Sequence, residues 1–338
     1  MRFPFVLSAS LAKYMAKQTL SGRKRFPLVL MLEPTLRCNL DCIGCGRIAE
    51  YNANPKQFKD LTVEECLQSV EECGAPIVSV CGGEPLVYKP VDELIRELLA
   101  RKKYVYLCTN AMFMDRFWER IPPNKRLALS IHLDGMEQGH DWAVARPGTF
   151  KKVVEIIEEA KIRGYRICTN TTILKGCNPA EIAEMIEFLH RKGVHGMMIS
   201  GAYPQEGEKG EACLNRGEME DVFLKILGNN GTMSKYRFNN TPIYAEFLQG
   251  KRDLPCSPWA SPNRTPKGWQ GPCYVLPEKY YATFAELMES TDWDRLGPGK
   301  DPRCANCKIH SGFEPSVALG SSLTLKDRWR MVKWSFFY

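Results

Sequence analysis

From Leu28 onward the chain repeats one pattern six times: a short apolar, β-branched run and then an amphipathic stretch of helical period. This alternation constrains the fold more than any other feature, because strands joined through helices run parallel and those helices must cover the sheet. Strands are expected over 29–33, 77–81, 104–109, 127–133, 166–173 and 196–201, and helices over 62–73, 91–103, 115–121, 149–163, 180–192 and 218–227. Thr62 and Thr149 read as N-caps, Pro90 and Pro179 as first-turn prolines, and Gly164 and Gly193 as C-terminal glycines. Six such units make an α/β fold, a partial (β/α)6 barrel, with its functional residues at the carboxyl ends of the strands.

The 338 residues, 44% of them apolar, can bury one large core and a smaller one. Residues 1–27 read as an N-terminal amphipathic segment, 28–228 as the barrel, and 229–338 as a smaller C-terminal domain rich in cysteine, proline, glycine and aromatic residues. The apolar start imitates a secretory signal, but Lys13 and Lys17 continue it as an amphipathic helix. No apolar run approaches the roughly 20 residues of a membrane span. A net charge of +7 without a long basic run or a basic-aromatic stripe is no nucleic-acid footprint.

Fourteen cysteines in a chain of this size point to metal chemistry in a reducing compartment, hence a cytoplasmic location, rather than to a disulfide framework. At the chain's end Arg328, Arg330 and Lys333 are interleaved with Trp329, Met331, Trp334, Phe336, Phe337 and Tyr338. Cations mixed with aromatics in this way suit a bilayer interface, as peripheral contact on the inner membrane face, or packing onto the protein itself.

Cys38-x3-Cys42-x2-Cys45 follows the first strand directly. Three thiolates can hold three irons of a 4Fe-4S cluster and leave the fourth open to a chelating cofactor. A closed zinc site would want a fourth ligand, and no histidine is near. Cysteines packed in a core would sit poorly among Arg37, Asn39, Asp41 and Gly44.

This spacing in this place resembles the radical S-adenosylmethionine (SAM) superfamily. The likeness runs from Val29 to about Gly201, with Ile43 where members usually carry an aromatic residue. It implies that Gly82, Gly83 and Glu84, ending the second strand in Cys81-Gly82-Gly83-Glu84-Pro85, form the turn that binds the methionine end of SAM. There the missing side chains let backbone approach the ligand. Asn110, His132 and Asp134 after the third and fourth strands would also contact the cofactor, with Asn170 on the fifth. His132 stands where similar enzymes have serine. Strand alternation places Ser130, His132 and Asp134 on one face, toward the lumen.

Cys256, Cys273, Cys304 and Cys307 fall in the last domain, with Cys304-x2-Cys307 a tight pair. They resemble the extensions of radical SAM enzymes that bind a second 4Fe-4S cluster, with a four-cysteine zinc site as the alternative. Cys66, Cys73, Cys168, Cys177 and Cys213 read as small packing residues.

Segments 26–34, 106–111 and 130–135, together with Cys256-Ser257-Pro258-Trp259, Gly268-Trp269-Gln270, Thr291-Asp292-Trp293-Asp294 and His310-Ser311-Gly312-Phe313-Glu314, resemble the adenosylhopane synthase family of hopanoid biosynthesis. Members often have cysteine at the place of Ser311 and alanine at that of Cys81. The resemblance implies a transferase of lipid metabolism that adds a 5'-deoxyadenosyl group to the alkene of diploptene, a hydrophobic triterpene. It also implies an electron donor such as flavodoxin or ferredoxin, and a dry, apolar pocket. Cys108 would share the lumen face with Asn110 and serve as hydrogen-atom donor, with Tyr106 in reserve. Two other readings remain: a radical SAM maturase of a ribosomal peptide, and a non-catalytic iron-sulfur electron carrier.

Overall fold

In the computed structural model the described residues are 5–53, 55, 57–203, 210–228, 232–320 and 323–337. Tyr338 and the side chains of Phe336 and Phe337 lie outside that set, as does the expected boundary at residue 229. The expected parallel strands form as β1 (Val29–Leu32), β2 (Ile77–Val80), β3 (Tyr104–Thr109), β4 (Leu127–His132), β5 (Arg166–Ile173) and β6 (Gly196–Gly201). Each pairs in parallel with the next, from Val29 opposite Ile77 to Ile173 opposite Gly201.

The helices are α1 (Phe5–Leu20), α2 (Gly46–Ala53), α3 (Val63–Cys73), α4 (Val91–Ala100), α5 (Glu137–Ala143), α6 (Thr149–Ile162), α7 (Pro179–Lys192), α8 (Arg216–Leu227), α9 (Thr232–Lys235), α10 (Pro242–Leu248), α11 (Phe284–Ser290), α12 (His310–Leu319) and α13 (Leu325–Phe337). Thr62 caps α3 in a full capping box with Glu65, and Gly193 ends α7 in the left-handed conformation. Pro90 is the N-cap of α4, one position before the first turn, whereas Pro179 opens α7 behind the Asn178 cap. Thr149 is no cap: left-handed Gly148 precedes α6, and the Thr149 hydroxyl donates to the Arg146 carbonyl instead. The helix expected over 115–121 shrinks to a 3-10 turn, Met114–Arg116, tucked under the main core.

Past the barrel the chain returns to the same sheet. β7 (Asn263–Thr265) pairs in parallel with β1, and β8 (Gly268–Pro272) and β9 (Pro277–Tyr281) extend it antiparallel. Among the described residues the strand order is β6-β5-β4-β3-β2-β1-β7-β8-β9. The smaller C-terminal domain expected from the composition change thus joins the barrel's sheet at its β1 edge through β7–β9.

α1 closes the opposite mouth. Leu7 packs on Ile77 and Tyr104, the first residues of β2 and β3, and the Ser10 hydroxyl meets the Tyr104 hydroxyl at 3.1 Å. With that end shut, the lumen opens where the strands end. No helix among the described residues is long and apolar enough to cross a membrane.

Candidate active site

The loop leaving β1 is held against the turn leaving β2 by backbone bonds from Gly83 N to the Thr35 carbonyl (3.0 Å) and from Glu84 N to the Arg37 carbonyl (2.8 Å). A β-carbon on Gly83 would lie 2.1 Å from the Arg37 carbonyl oxygen, and one on Gly82, whose φ is +110°, would lie 2.6 Å from that of Thr35. Only glycine allows this approach. Arg37 is pinned in turn to Asp60, which also accepts from the Thr35 hydroxyl at 2.6 Å. The cysteine loop is thus fixed before any ligand arrives.

Cys38, Cys42 and Cys45 face one another closely enough that each thiolate would disfavour the next. Burial first, then the Glu84 charge and Cys45, push the Cys38 thiol up to about 11, and burial followed by Cys45 raises Cys42 strongly. Burial likewise raises Cys45, against backbone N–H groups of Arg47 and Ile48 at the start of α2 that favour its thiolate. Leu40 N donates to the Cys38 sulfur at 3.4 Å, and Asn110 Nδ2 approaches it at 3.8 Å. Thiols that repel one another yet receive N–H donors fit a cationic iron-sulfur cluster, whose charge offsets the cost of ionising them.

The other expected cofactor contacts divide into two groups. Glu84 is buried, and its carboxylate accepts from Leu86 N (3.0 Å), the Thr109 hydroxyl (2.7 Å) and Asn110 N (2.8 Å). Both oxygens are engaged in joining the ends of β2 and β3. Asp134 is also committed, to His132 Nε2 at 2.6 Å and to Thr172 N at 2.7 Å. Burial lowers the His132 pKa, but the Asp134 charge, its hydrogen bond and the Glu84 charge together outweigh that and raise it. Asp134 therefore positions His132, while His140, accepting from Asp134 N, is pushed by burial down to about 4.

Asn110 donates to Asn39 Oδ1 at 2.9 Å, tying β3 to the cysteine loop. Asn170 sits opposite His132 in the ladder, and its Oδ1 is buried with no hydrogen-bond partner; Asn39 Nδ2 is in the same position. Such unspent polar atoms beside the cysteine loop fit a polar cofactor. Ile43 packs beside Ala143 and Leu174, and its N–H donates to the Ala143 carbonyl at 2.8 Å.

Cys108 lies on the lumen face, its sulfur 3.2 Å from the Ser79 hydroxyl, with Ser130 its ladder partner on β4. Burial raises its pKa and keeps it a thiol. Tyr106 shares that face, with half-buried Cys81 and buried Cys168 near Cys108. The lumen is therefore not the apolar pocket expected: Ser79, Cys108, Ser130, His132 and Asn170 give it a polar wall. Parallel strands covered outside by helices put their alternate, polar side chains inward.

Cys256, Cys273, Cys304 and Cys307 line one cavity together with Tyr274, Ser311 and Gly312. Burial raises all four thiols, Cys273 to about 11 and Cys307 to about 12, and each lies within electrostatic reach of others of the set. A β-carbon on Gly312 would lie 2.7 Å from the Cys256 sulfur, so the glycine keeps that thiol's surroundings open. Among the described residues no three metal-ligating side chains converge tightly enough for a single ion. These four thiols are spaced around a cavity wall.

Sequence reasoning missed the buried Arg47. Its Nε meets Glu33 at 2.9 Å, Nη1 meets Glu50 at 3.1 Å, and Nη2 donates to Gln270 Oε1 at 2.7 Å. Nothing local in the sequence marks it, since Gln270 is 223 positions away.

Residues 32–189 match the description "Radical SAM superfamily". That stretch of the chain is a radical SAM domain. The matched stretch begins at the end of β1 and contains the first cysteine motif and the Gly82-Gly83 turn, so the radical SAM domain and the site coincide. Residues 197–331 match "Domain of unknown function (DUF3463)", which holds the second cysteine set.

Similar curated proteins include a GTP 3',8-cyclase of Clostridium perfringens, 25% identical over 77% of this chain and 84% of its own length. Another is a GTP 3',8-cyclase of Aquifex aeolicus, 31% identical over 49% and 54%. Streptococcus suis SuiB bound to its precursor peptide SuiA shares the fold at a TM-score of 0.63 and 15% identity, covering 89% of this chain and 74% of that one. So does anSMEcpe with bound AdoMet, at 0.57 and 17%, covering 90% and 98%. The protein is a radical SAM enzyme, with a 4Fe-4S cluster and SAM as its cofactors.

Proposed function

We propose that this radical SAM enzyme adds a 5'-deoxyadenosyl group across a carbon-carbon double bond of a hydrophobic substrate, with diploptene as the substrate the sequence resemblance favours. The observation that carries the reading is Cys108. It is a protonated thiol in the lumen, two residues from Asn110, which reaches the Cys38 sulfur. Cys38, Cys42 and Cys45 would hold the cluster that, with SAM, supplies the primary carbon radical.

The chain's own residues have three tasks. The Gly82-Gly83 backbone, Asn110, His132 and Asn170 hold the cofactor, with Glu84 and Asp134 fixing their positions. The polar wall directs the adenosyl end, while Met31 and Tyr106, level with Ser79 and below Cys108, offer the hydrocarbon its apolar contacts. Cys108 then transfers its S–H hydrogen to the tertiary carbon left by the addition, and the sulfur is restored by one electron and one proton. That electron comes from the external reductant. The four second-site thiols line one cavity, and the radical SAM context favours a second 4Fe-4S cluster over zinc there.

GTP cyclisation is the second reading, favoured by the names of the curated relatives. A triphosphate calls for unpaired cations, whereas Arg37 is paired to Asp60, Arg47 to Glu33 and Glu50, and Lys308 to Glu220. The test is to incubate reconstituted, reduced enzyme and SAM separately with diploptene, GTP and a cysteine-containing peptide. A product with the mass of the alkene plus 5'-deoxyadenosine supports the proposal. Turnover of GTP or of the peptide, with the alkene untouched, overturns it.

A further inference from the structure

Glu33, Arg47, Glu50, Asn263 and Gln270 are all buried and form one connected polar network. It joins the loop after β1, the start of α2, and strands β7 and β8. Gln270 is its junction. Its Oε1 accepts from Arg47 Nη2 (2.7 Å) and Asn263 Nδ2 (3.0 Å), and its Nε2 donates to the carbonyls of Cys273 (3.0 Å) and Tyr274 (2.8 Å). The Arg47 guanidinium also lies 5.2 Å from the Tyr274 ring centroid.

At its other end the network reaches the first cysteine loop. Arg47 is two residues after Cys45, and its N–H and positive charge both favour the Cys45 thiolate. One amide thus separates a cation beside a ligand of the first site from the backbone of a ligand of the second. Charges in this place are costly, since an apolar filling of similar volume is often as stable or more so. Lys267 on Glu50 at 2.9 Å balances the sum, with two cations against two carboxylates. Packing alone does not call for such an arrangement.

We propose that Arg47 and Gln270 are positioning residues that couple the two cysteine sites, so that the reduction potential of the first cluster depends on whether the second site is filled. The coupling rests on the reading that the second cysteine set binds a cluster. Filling that site fixes the Cys273–Tyr274 carbonyls, these orient the Gln270 amide, and Gln270 holds the guanidinium against the Cys45 end of α2. A cation held there raises the potential of a thiolate-ligated cluster and eases its reduction. Releasing it lowers the potential.

The experiment compares four full-length proteins: parent, Gln270→Leu, the double variant Cys304→Ser/Cys307→Ser, and the combination. Iron and sulfide content are measured with the midpoint potential and EPR g-values of the first cluster. Emptying the second site is expected to lower the potential and shift the g-values, Gln270→Leu to shift both the same way, and the combination to add little more. Arg47→Lys supplies a second variant if Gln270→Leu does not fold. It keeps the charge but cannot bridge Glu33 and Gln270 together, so its potential should no longer respond to the state of the second site.

Fully additive shifts, or a first cluster indifferent to emptying in the parent, overturn the coupling. About four irons per parent chain instead of roughly eight overturn the two-cluster reading itself, and the proposal with it.

Discussion

Replacing Gly83 with alanine should disable the first site by moving backbone. An added β-carbon would sit 2.1 Å from the Arg37 carbonyl oxygen, 2.6 Å from its carbonyl carbon and 2.7 Å from that of Leu36. Relief requires the chain just before Cys38 to retreat by about 1 Å, because comfortable carbon-oxygen contacts begin a little above 3 Å. The opposing atoms are backbone held by the Glu84 N to Arg37 carbonyl bond, so the cost belongs near the top of the overpacking range, about 3 kcal/mol. A misplacement of about 1 Å at a reacting centre costs on the order of a hundredfold in rate.

Gly74 is the control. Its φ is +68° and nothing lies within 4 Å of the β-carbon position, so Gly74→Ala should cost about 1 kcal/mol and leave the chemistry intact. Urea unfolding of the iron-free proteins measures the first effect. Iron uptake and 5'-deoxyadenosine yield after reconstitution measure the second. A Gly83→Ala protein that matches the parent within twofold in both iron and yield would refute the argument.

Glu314 accepts from Thr241 N at 2.8 Å, and burial raises its carboxyl to about 7 from an ordinary 4.5. Between those values the folded state keeps a proton that the unfolded state releases, so this contribution to stability is full below about pH 4.5 and is lost as pH rises through 7. Glu314→Gln should therefore match the parent near pH 4.5 and exceed it at pH 8 by about 1–2 kcal/mol, discounted for a half-buried side chain; equal stability at both pH values would contradict it. Cys108→Ala, run with the alkene in deuterated water, should keep cleaving SAM while losing the reduced adduct or scrambling its configuration; unchanged yield, isotope content and configuration would assign the hydrogen to another donor. On α13, Leu325, Trp329 and Val332 are exposed, Trp329 by 68%, beside exposed Lys326 and Arg328. Cosedimentation with anionic phospholipid vesicles should drop when Trp329 and Val332 become serine, and absence of binding by the intact protein would end the membrane reading.

The β1–β6 boundaries were legible within a residue because β-branched runs alternate with strong helical periods, and Thr62, Pro179 and Gly193 supply matching punctuation. Thr149 misled because serine-like side chains serve turns as readily as caps, and Gly148 already set the backbone there. The extension β7–β9 left little trace: its strands are only three to five residues long and carry glycine and proline.

Within the site, alternation correctly placed Ser130, His132 and Asp134 together, since a strand's period survives any packing. Which of them is spent on the protein was not readable. That Glu84 clamps Asn110, and that Asp134 serves His132, depends on neighbours brought in from other strands. Arg47 and Gln270 are the extreme case, with meaning only as a pair.

The parallel pairing of β1 with β7 also has a consequence for how the protein is made. Met31 stands opposite Asn263 and donates its N–H to the Pro262 carbonyl, some 230 residues later in the chain. At 5–20 residues per second, β1 leaves the ribosome roughly 12–46 s before its outer neighbour exists. Through that interval the growing barrel has a bare, apolar strand edge directly below the cysteine loop, the kind of edge on which nascent chains mispair. A chain truncated before β7 would keep that edge exposed.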